Sequence, residues 1–174
     1  MGANPLMSLQ RLLLAVAAFA VVPACAVRAD PEYPKMGPDI YDVHADADSA
    51  ISSALARAAR EHKRVLVDFG ANWCIWCHRL HSTFEGDPGV ARALDRGFVV
   101  VMVDVNTRNG ERRNAATVER YGNPTVHGIP VLVVLDSDGK ILTTKDSGEL
   151  EEGSGHSPAK IVAFLSQWAP PDRP

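Results

Sequence analysis

The residues of this chain with the most evident chemistry are two cysteines in a Cys-x-x-Cys pattern, Cys74 and Cys77. A short apolar run, Val65–Phe69, precedes them and is typical of a buried strand, and apolar residues recur at helical spacing behind them. Cys74 is therefore predicted at or near the N-terminus of a helix, where unpaired backbone N–H groups and the helix dipole favour a thiolate. Because a thiolate is the attacking species in disulfide exchange, the pattern indicates thiol–disulfide chemistry.

Two neighbours of Cys74 are candidates for the other steps of that chemistry. Cys77 shares the apolar helix face of Leu80 and Phe84, so it is expected to be shielded and to resolve the mixed disulfide that Cys74 forms. Asp68 lies inside the apolar run before the motif. Burial would raise the pKa of Asp68 and make it a candidate proton acceptor for Cys77, whereas the alternative is a carboxylate that points to the strand end and solvent.

A second candidate segment, Gly128–Pro130, directly precedes the apolar run Val131–Leu135. Proline is permitted at the entry to a strand. A cis peptide bond at this proline would expose the backbone of Ile129 for pairing with an extended substrate chain. Trp73 and Trp76 are expected to form a hydrophobic surface around the cysteines, at the rim of the same groove.

The rest of the pattern alternates helices with strands. Strands are predicted where apolar residues run together or where a turn folds the chain back, at Val65–Phe69, Phe98–Val105, Val131–Leu135 and Lys140–Thr144. Helices are predicted at Ala47–His62, from Cys74 to an interruption at Gly86–Pro88, from Val90 to Gly97, at Glu111–Tyr121 and at Ser157–Trp168. This order predicts an α/β architecture with a mixed central β-sheet flanked by helices.

Three segments resemble a known family, the thioredoxins and their relatives. Val67–Cys77 is similar to the thioredoxin active-site segment, and Gly128–Pro130 is similar to its cis-proline loop. The stretch Phe84–Asp104 resembles one branch, the thioredoxin-like domains of periplasmic thiol:disulfide interchange proteins such as the C-terminal domain of DsbD. The resemblance covers roughly Ile51–Trp168.

This resemblance implies a thioredoxin fold in which Cys74 is the nucleophile, Cys77 the resolving thiol and Asp68 a buried acid. It implies a cis peptide bond before Pro130, and it favours a reductase over an oxidase. The implied partners are protein thiol or disulfide substrates and a redox partner that recycles the cysteine pair. No organic cofactor and no bound metal are expected, because the disulfide itself carries the electrons.

The chain departs from the common thioredoxin pattern at three places. Ile75 and Trp76 separate the cysteines where general thioredoxins have Gly-Pro, a dipeptide that tunes the redox potential. The predicted strand segment Val99–Val103 lacks the lysine that often neighbours the buried acid. His78 replaces the usual lysine or arginine after the second cysteine and is expected either on the helix surface or near the thiolate.

The N-terminus predicts export. Arg11, the apolar stretch Leu12–Val22 and the small-x-small site Val27–Ala29 are typical of a secretory signal peptide over residues 1–29, and Ala24–Ala26 is a second cleavage option. The apolar stretch is shorter than the roughly 20 residues that a membrane span needs. An uncleaved anchor and lipid attachment at Cys25 are the alternatives, and otherwise membrane contact is expected only through the signal sequence.

Residues 30–46 are rich in proline and acid, and they are predicted to form an extended lead-in, poorly ordered or packed on the surface. Residues 47–169 are predicted to form the thioredoxin-like domain, followed by a tail over residues 170–174. The formal net charge of −3 and the absence of a long basic run give nucleic-acid binding no electrostatic support. A monomer is expected.

A metal-handling role is the leading alternative function. Cys74, Cys77, His78 and His81 are close in sequence, His127 lies beside the proline loop, and thiolate with imidazole suits Cu(I) or Zn. The motif also matches the Cys-x-x-Cys-His pattern of haem attachment, although its place between a strand and a helix favours the redox interpretation. A binding module that uses the fold without turnover is a third class.

Overall fold

The computed structural model describes residues 36–171 of the chain. The predicted signal peptide, Cys25, the first part of the lead-in and residues 172–174 lie outside this range. Within it, no helix is both long enough and apolar enough to cross a membrane.

The first helix, α1 (Ala47–Glu61), shows why the predicted elements form where they do. Its N-cap is Asp46, whose carboxylate accepts a hydrogen bond of 2.7 Å from the backbone N–H of Ser49. The helix ends at His62, which adopts a left-handed conformation with φ 56°. Four small or apolar residues of α1 are buried against the sheet: Ala47, Ile51, Ala54 and Ala58.

Four strands form the central sheet, β1 (Arg64–Gly70), β2 (Phe98–Asp104), β3 (Val131–Leu135) and β4 (Ile141–Asp146). Their order across the sheet is β2-β1-β3-β4, with β1 parallel to β2 and the other two pairs antiparallel. The predicted mixed sheet is confirmed. Because β1 has a strand on each side, its residue Asp68 lies between Met102 of β2 and Leu132 of β3.

Helices cover both faces of this sheet. The four α-helices that follow α1 in the described part of the chain are α2 (Ile75–Gly86), α3 (Pro88–Gly97), α4 (Ala115–Arg120) and α5 (Pro158–Gln167). One core contains Val65, Val67 and Phe69 of β1 and the buried side of α1. The opposite core contains Leu66 of β1 with Leu80, Val90 and Ile161 from α2, α3 and α5. Successive residues of β1 point in turn into one core and then the other, as expected for a strand that is buried on both faces.

The predicted interruption after α2 is confirmed, and a single residue produces it. Asp87 ends α2 and serves as the N-cap of α3, where its carboxylate accepts hydrogen bonds from the N–H groups of Gly89 and Val90, both at 2.9 Å. Pro88 follows at the first position of α3, where a missing N–H costs nothing.

The predicted helix Glu111–Tyr121 is too long at its start, because α4 begins only at Ala115. The side chain of Arg113 instead pairs with Asp104 at 2.8 Å, at the end of β2. Asn114 adopts a left-handed conformation with φ 52°, and its side-chain amide donates to the backbone carbonyl of Asp104 at 2.8 Å. These contacts fix residues 111–114 to the sheet in a non-helical path.

The predicted loop Gly148–Gly155 contains regular structure. A 3₁₀ turn at Ser147–Leu150 leads into a short antiparallel pair, β5 (Glu151–Glu152) and β6 (Gly155–His156). Strand β6 packs against α2, the helix that follows the cysteine motif. This small hairpin therefore reaches the neighbourhood of the candidate site.

Candidate active site

Cys74 and Cys77 are joined by a disulfide, with their Cα atoms 5.2 Å apart. Cys74 is the N-cap of α2, and its Sγ atom accepts the backbone N–H of Cys77 at 3.1 Å. Cys74 is 6% exposed and Cys77 is fully buried, so Cys74 is the more accessible of the two residues. The predicted positions of both cysteines are confirmed.

The start of α2 favours negative charge on Cys74. No acidic residue occupies the first turn of the helix, so its unpaired N–H groups face the sulfur without a competing carboxylate. A thiolate at this position is stabilised by these groups and by the helix dipole.

The Gly128–Pro130 segment lies against the cysteines. The peptide bond between Ile129 and Pro130 is cis, and the Ile129 carbonyl oxygen is 3.5 Å from the Sγ atom of Cys74. Gly128 has φ 130° and ψ −175°, a backbone conformation that only glycine adopts readily. Two segments that are far apart in sequence thus meet at the accessible sulfur.

Asp68 is fully buried, and the alternative in which it points to solvent is wrong. Burial raises the pKa of Asp68 to about 7 from an ordinary value of 3.8, while a hydrogen bond from Tyr41 acts in the opposite direction. The Tyr41 hydroxyl donates to Oδ1 at 3.2 Å, and Oδ2 has no hydrogen-bond partner among the described residues. The neighbour of Asp68 on β2 is Met102, in the strand where thioredoxins often have a lysine beside the buried acid.

Tyr41 is a site residue that the sequence analysis missed. The prediction that the lead-in is poorly ordered or packed on the surface is wrong here, because Tyr41 is 1% exposed and clusters with both cysteines. The side chain of Asn72 accepts the N–H groups of Ile40 and Tyr41 at 2.9 and 2.8 Å, and it donates to the Tyr41 carbonyl at 2.9 Å. An amide two residues before Cys74 therefore fixes the lead-in to the active-site loop.

Gly70, at the end of β1, makes room for this arrangement. A Cβ atom on Gly70 would lie 2.0 Å from the Tyr41 hydroxyl oxygen and 2.9 Å from the Sγ atom of Cys77. Both distances are far shorter than van der Waals contact, so no larger residue fits without displacing its neighbours. The same geometry shows that the Tyr41 hydroxyl and the Cys77 sulfur are neighbours.

Trp73 and Trp76 flank the first cysteine, and other side chains hold each of them. The Trp73 indole N–H donates to Asn106 Oδ1 at 2.8 Å, and the Arg108 guanidinium lies 3.5 Å from the centre of its ring. The Arg79 guanidinium lies 4.5 Å from the centre of the Trp76 ring. Both indoles are half-buried, so part of each remains at the surface beside the disulfide.

His156, on β6, contacts the edge of Trp76 with ring centres 5.7 Å apart. His156 is buried, and neither ring nitrogen has a hydrogen-bond partner among residues 36–171. Burial, followed by the positive charge of Arg79, lowers the pKa of His156 below 6.5. Nothing in the sequence around His156 indicates this contact.

The histidines of the metal hypothesis do not converge with the cysteines. His78 Nε2 lies 2.8 Å from the carbonyl oxygen of Asn72, so this ring ties α2 to the loop before it. His81 is 3.4 Å from Glu85, and His127 is exposed. Among the described residues, no group of three or more His, Cys, Asp or Glu side chains could hold a metal ion.

Disulfide exchange requires one sulfur that a partner can reach, a second sulfur close enough to displace it, and a means of stabilising the attacking thiolate. The start of α2 meets all three requirements on a thioredoxin fold, and these features define a thiol–disulfide oxidoreductase. A family model described as Thioredoxin-like matches residues 46–137. The chain belongs to this thioredoxin-like family.

Individual relatives agree with this assignment. A disulphide isomerase from Xylella fastidiosa Temecula1 is 37% identical, with a TM-score of 0.65 over 74% of this chain and 95% of that one. The thiol:disulfide interchange protein DsbD of Vibrio vulnificus is 34% identical over 89 residues, which are 51% of this chain and 14% of that protein. The oxidised C-terminal domain of Neisseria meningitidis DsbD shares the fold, with a TM-score of 0.51 and 24% identity over 71% of this chain and 97% of that domain.

Proposed function

We propose that this protein is an exported reductase that transfers two electrons from the Cys74–Cys77 dithiol to disulfides of protein substrates. The unequal exposure of the two cysteines, 6% for Cys74 and none for Cys77, is the observation that supports this function most directly, because it separates an attacking cysteine from a resolving one. The Cys74 sulfur also lies beside a backbone carbonyl, that of Ile129, which an extended substrate chain can pair with.

The reaction proceeds in two exchanges. The Cys74 thiolate attacks one sulfur of the substrate disulfide, forms a mixed disulfide and releases the other substrate sulfur as a thiolate. Cys77 then loses its proton to Asp68 and attacks the Sγ atom of Cys74, which releases the second substrate thiolate. The enzyme ends oxidised and the substrate ends reduced by two electrons.

Substrate binding is assigned to the surface around the accessible sulfur. Pro130 shapes the groove and leaves the Ile129 backbone available, while Trp73 and Trp76 contribute apolar surface on either side of Cys74. This arrangement favours an extended, partly apolar segment around the substrate cysteine.

The reductase direction requires a donor that returns two electrons to the disulfide. The chemical class of that donor is a dithiol of lower reduction potential, so no organic cofactor is needed. The similarity to proteins named thiol:disulfide interchange protein supports exchange with a second redox protein. The matched segment of this chain covers only 14% of the length of the Vibrio relative.

A trapping experiment with insulin as the probe tests the exchange. The Cys77→Ser variant, prepared reduced, should accumulate a mixed disulfide between Cys74 and an insulin chain, because the resolving thiol is missing. The matched Cys74→Ser variant should accumulate none, because Cys77 is fully buried. Equal trapping by both variants, or by neither, contradicts the assigned roles.

Export is tested on the full-length chain expressed in a Gram-negative host. Cleavage after Ala29 predicts a periplasmic product that begins at Asp30, which mass spectrometry of the isolated protein identifies. A product that retains residues 1–29 supports an uncleaved anchor, and a lipid-modified N-terminus at Cys25 supports the lipoprotein alternative. Size-exclusion chromatography of the same product tests the expected monomer.

A further inference from the structure

We propose that Tyr41 is a positioning residue for disulfide exchange, whose hydroxyl group orients the Asp68 carboxyl group and lies close to the sulfur of Cys77. The inference rests on the function proposed above. It extends the active site into the lead-in, which precedes residues 46–137, the segment that matches the family model.

The geometry places the Tyr41 hydroxyl next to both groups. It donates to Asp68 Oδ1 at 3.2 Å, and a Cβ atom on Gly70 would lie 2.0 Å from the hydroxyl oxygen and 2.9 Å from Cys77 Sγ, so the hydroxyl also lies close to this sulfur. Tyr41 is 1% exposed and Asp68 is fully buried, so bulk water cannot replace this hydrogen bond. Because Oδ2 of Asp68 has no partner among the described residues, the tyrosine supplies the one hydrogen bond that orients the carboxyl group.

The position of Tyr41 is coupled to the cysteine motif through Asn72. This side chain makes three hydrogen bonds of 2.8 to 2.9 Å to the backbone of Ile40 and Tyr41. Asn72 lies in the loop that leads to Cys74, and its own carbonyl contacts His78 of α2 at 2.8 Å. The tyrosine is thus fixed to the loop that carries the reacting sulfur.

The hydroxyl group matters at the step in which Cys77 loses its proton. Only the ionised form of Asp68 accepts that proton, and burial disfavours this form. The hydrogen bond from Tyr41 stabilises the ionised form and lowers the pKa of Asp68 relative to the same site without it. Without the hydroxyl, a smaller fraction of Asp68 is ionised at neutral pH, and resolution by Cys77 requires a higher pH.

The reaction of the reduced full-length protein with 5,5′-dithiobis(2-nitrobenzoate) separates the two exchange steps, provided that Cys25 is replaced by serine in every protein tested so that only Cys74 and Cys77 react. Attack by Cys74 releases the first thionitrobenzoate, and attack by Cys77 on the resulting mixed disulfide releases the second. Tyr41→Phe should leave the first phase unchanged and move the pH midpoint of the second phase upward. The expected shift is about one to two pH units, the effect of a hydrogen bond to a charged group.

Three further variants make the test specific. Tyr121→Phe removes the hydroxyl of a partly buried tyrosine that packs against Phe69, in the core that contains α1, and should change neither phase. Asn72→Ala keeps the Tyr41 hydroxyl but frees its backbone, and it should shift the second phase in the same direction. In an Asp68→Asn background, Tyr41→Phe should have no further effect on the second phase.

The proposal is overturned if Tyr41→Phe leaves the second midpoint unchanged, slows both phases equally, or has the same effect when Asp68 is already replaced. Failure of the proposed function gives a different result, since the Cys77→Ser variant would then trap no insulin chain, whatever the effect of Tyr41→Phe on the second phase.

Discussion

Replacement of Asp68 by asparagine should stabilise the oxidised protein above neutral pH. The pKa of Asp68 is about 7 in the folded state and 3.8 without the protein environment, a difference of about 3 units. At 1.36 kcal/mol per unit, ionising Asp68 in the folded protein costs about 4 kcal/mol. The folded state binds the proton of Asp68 more tightly than the unfolded state does. The stability that this proton contributes to the folded state is therefore complete below about pH 4 and is lost as the pH rises to about 7.

Urea denaturation followed by tryptophan fluorescence measures this effect. The free energy of unfolding of the wild type, relative to Asp68→Asn, should fall by about 1.4 kcal/mol per pH unit between about pH 4 and pH 7 and then level off. The disulfide is kept intact, so the cysteines do not titrate. Asp138→Asn, which removes an exposed carboxylate, should follow the wild type at every pH.

Parallel stability curves for the wild type and Asp68→Asn would refute this reasoning. That result would mean that the folded and unfolded states bind the Asp68 proton equally, so burial would not set its pKa. The proposed role of Asp68 as a proton acceptor near neutral pH would lose its physical basis.

Three other substitutions test separate parts of the structure. Gly70→Ala should destabilise the protein by about 1 to 3 kcal/mol in urea denaturation, because its Cβ would overlap the Tyr41 hydroxyl; wild-type stability would contradict the close approach. Asp87→Ala should cost about 1 kcal/mol in the same assay through loss of the α3 cap, and an unchanged midpoint would show that the cap contributes nothing. His156→Phe should remove the loss of stability that a buried neutral histidine causes as the pH falls below about 6.5. If the variant loses as much stability as the wild type over this pH range, the loss comes from other groups.

The parts of the site that depend only on residues close together in the sequence were predictable. The apolar strand, the Cys-x-x-Cys spacing and the amphipathic pattern of α2 are sufficient to place Cys74 at a helix start and Cys77 on the buried face. Burial of Asp68 follows in the same way, because an apolar run of this kind forms a central strand with neighbours on both sides.

Contacts between distant segments were not predictable. Tyr41 belongs to a short polar stretch with no periodicity, and contacts with residues far away in the sequence, Asn72 and Asp68, hold it in the core. His156 reaches Trp76 through strands of two residues each, which are too short to leave a pattern. The start of α4 is displaced by pairing of Arg113 with the end of β2, a tertiary contact that overrides local helix preference.

The reduction potential of the Cys74–Cys77 pair tests the central claim most directly. The protein is equilibrated in thiol–disulfide buffers, and alkylated thiols are counted by mass. A reductase should interconvert fully between its two forms, with a potential near that of thioredoxin, about −270 mV. A potential near −120 mV would contradict the reductase direction, and a pair that does not cycle would contradict the redox function itself.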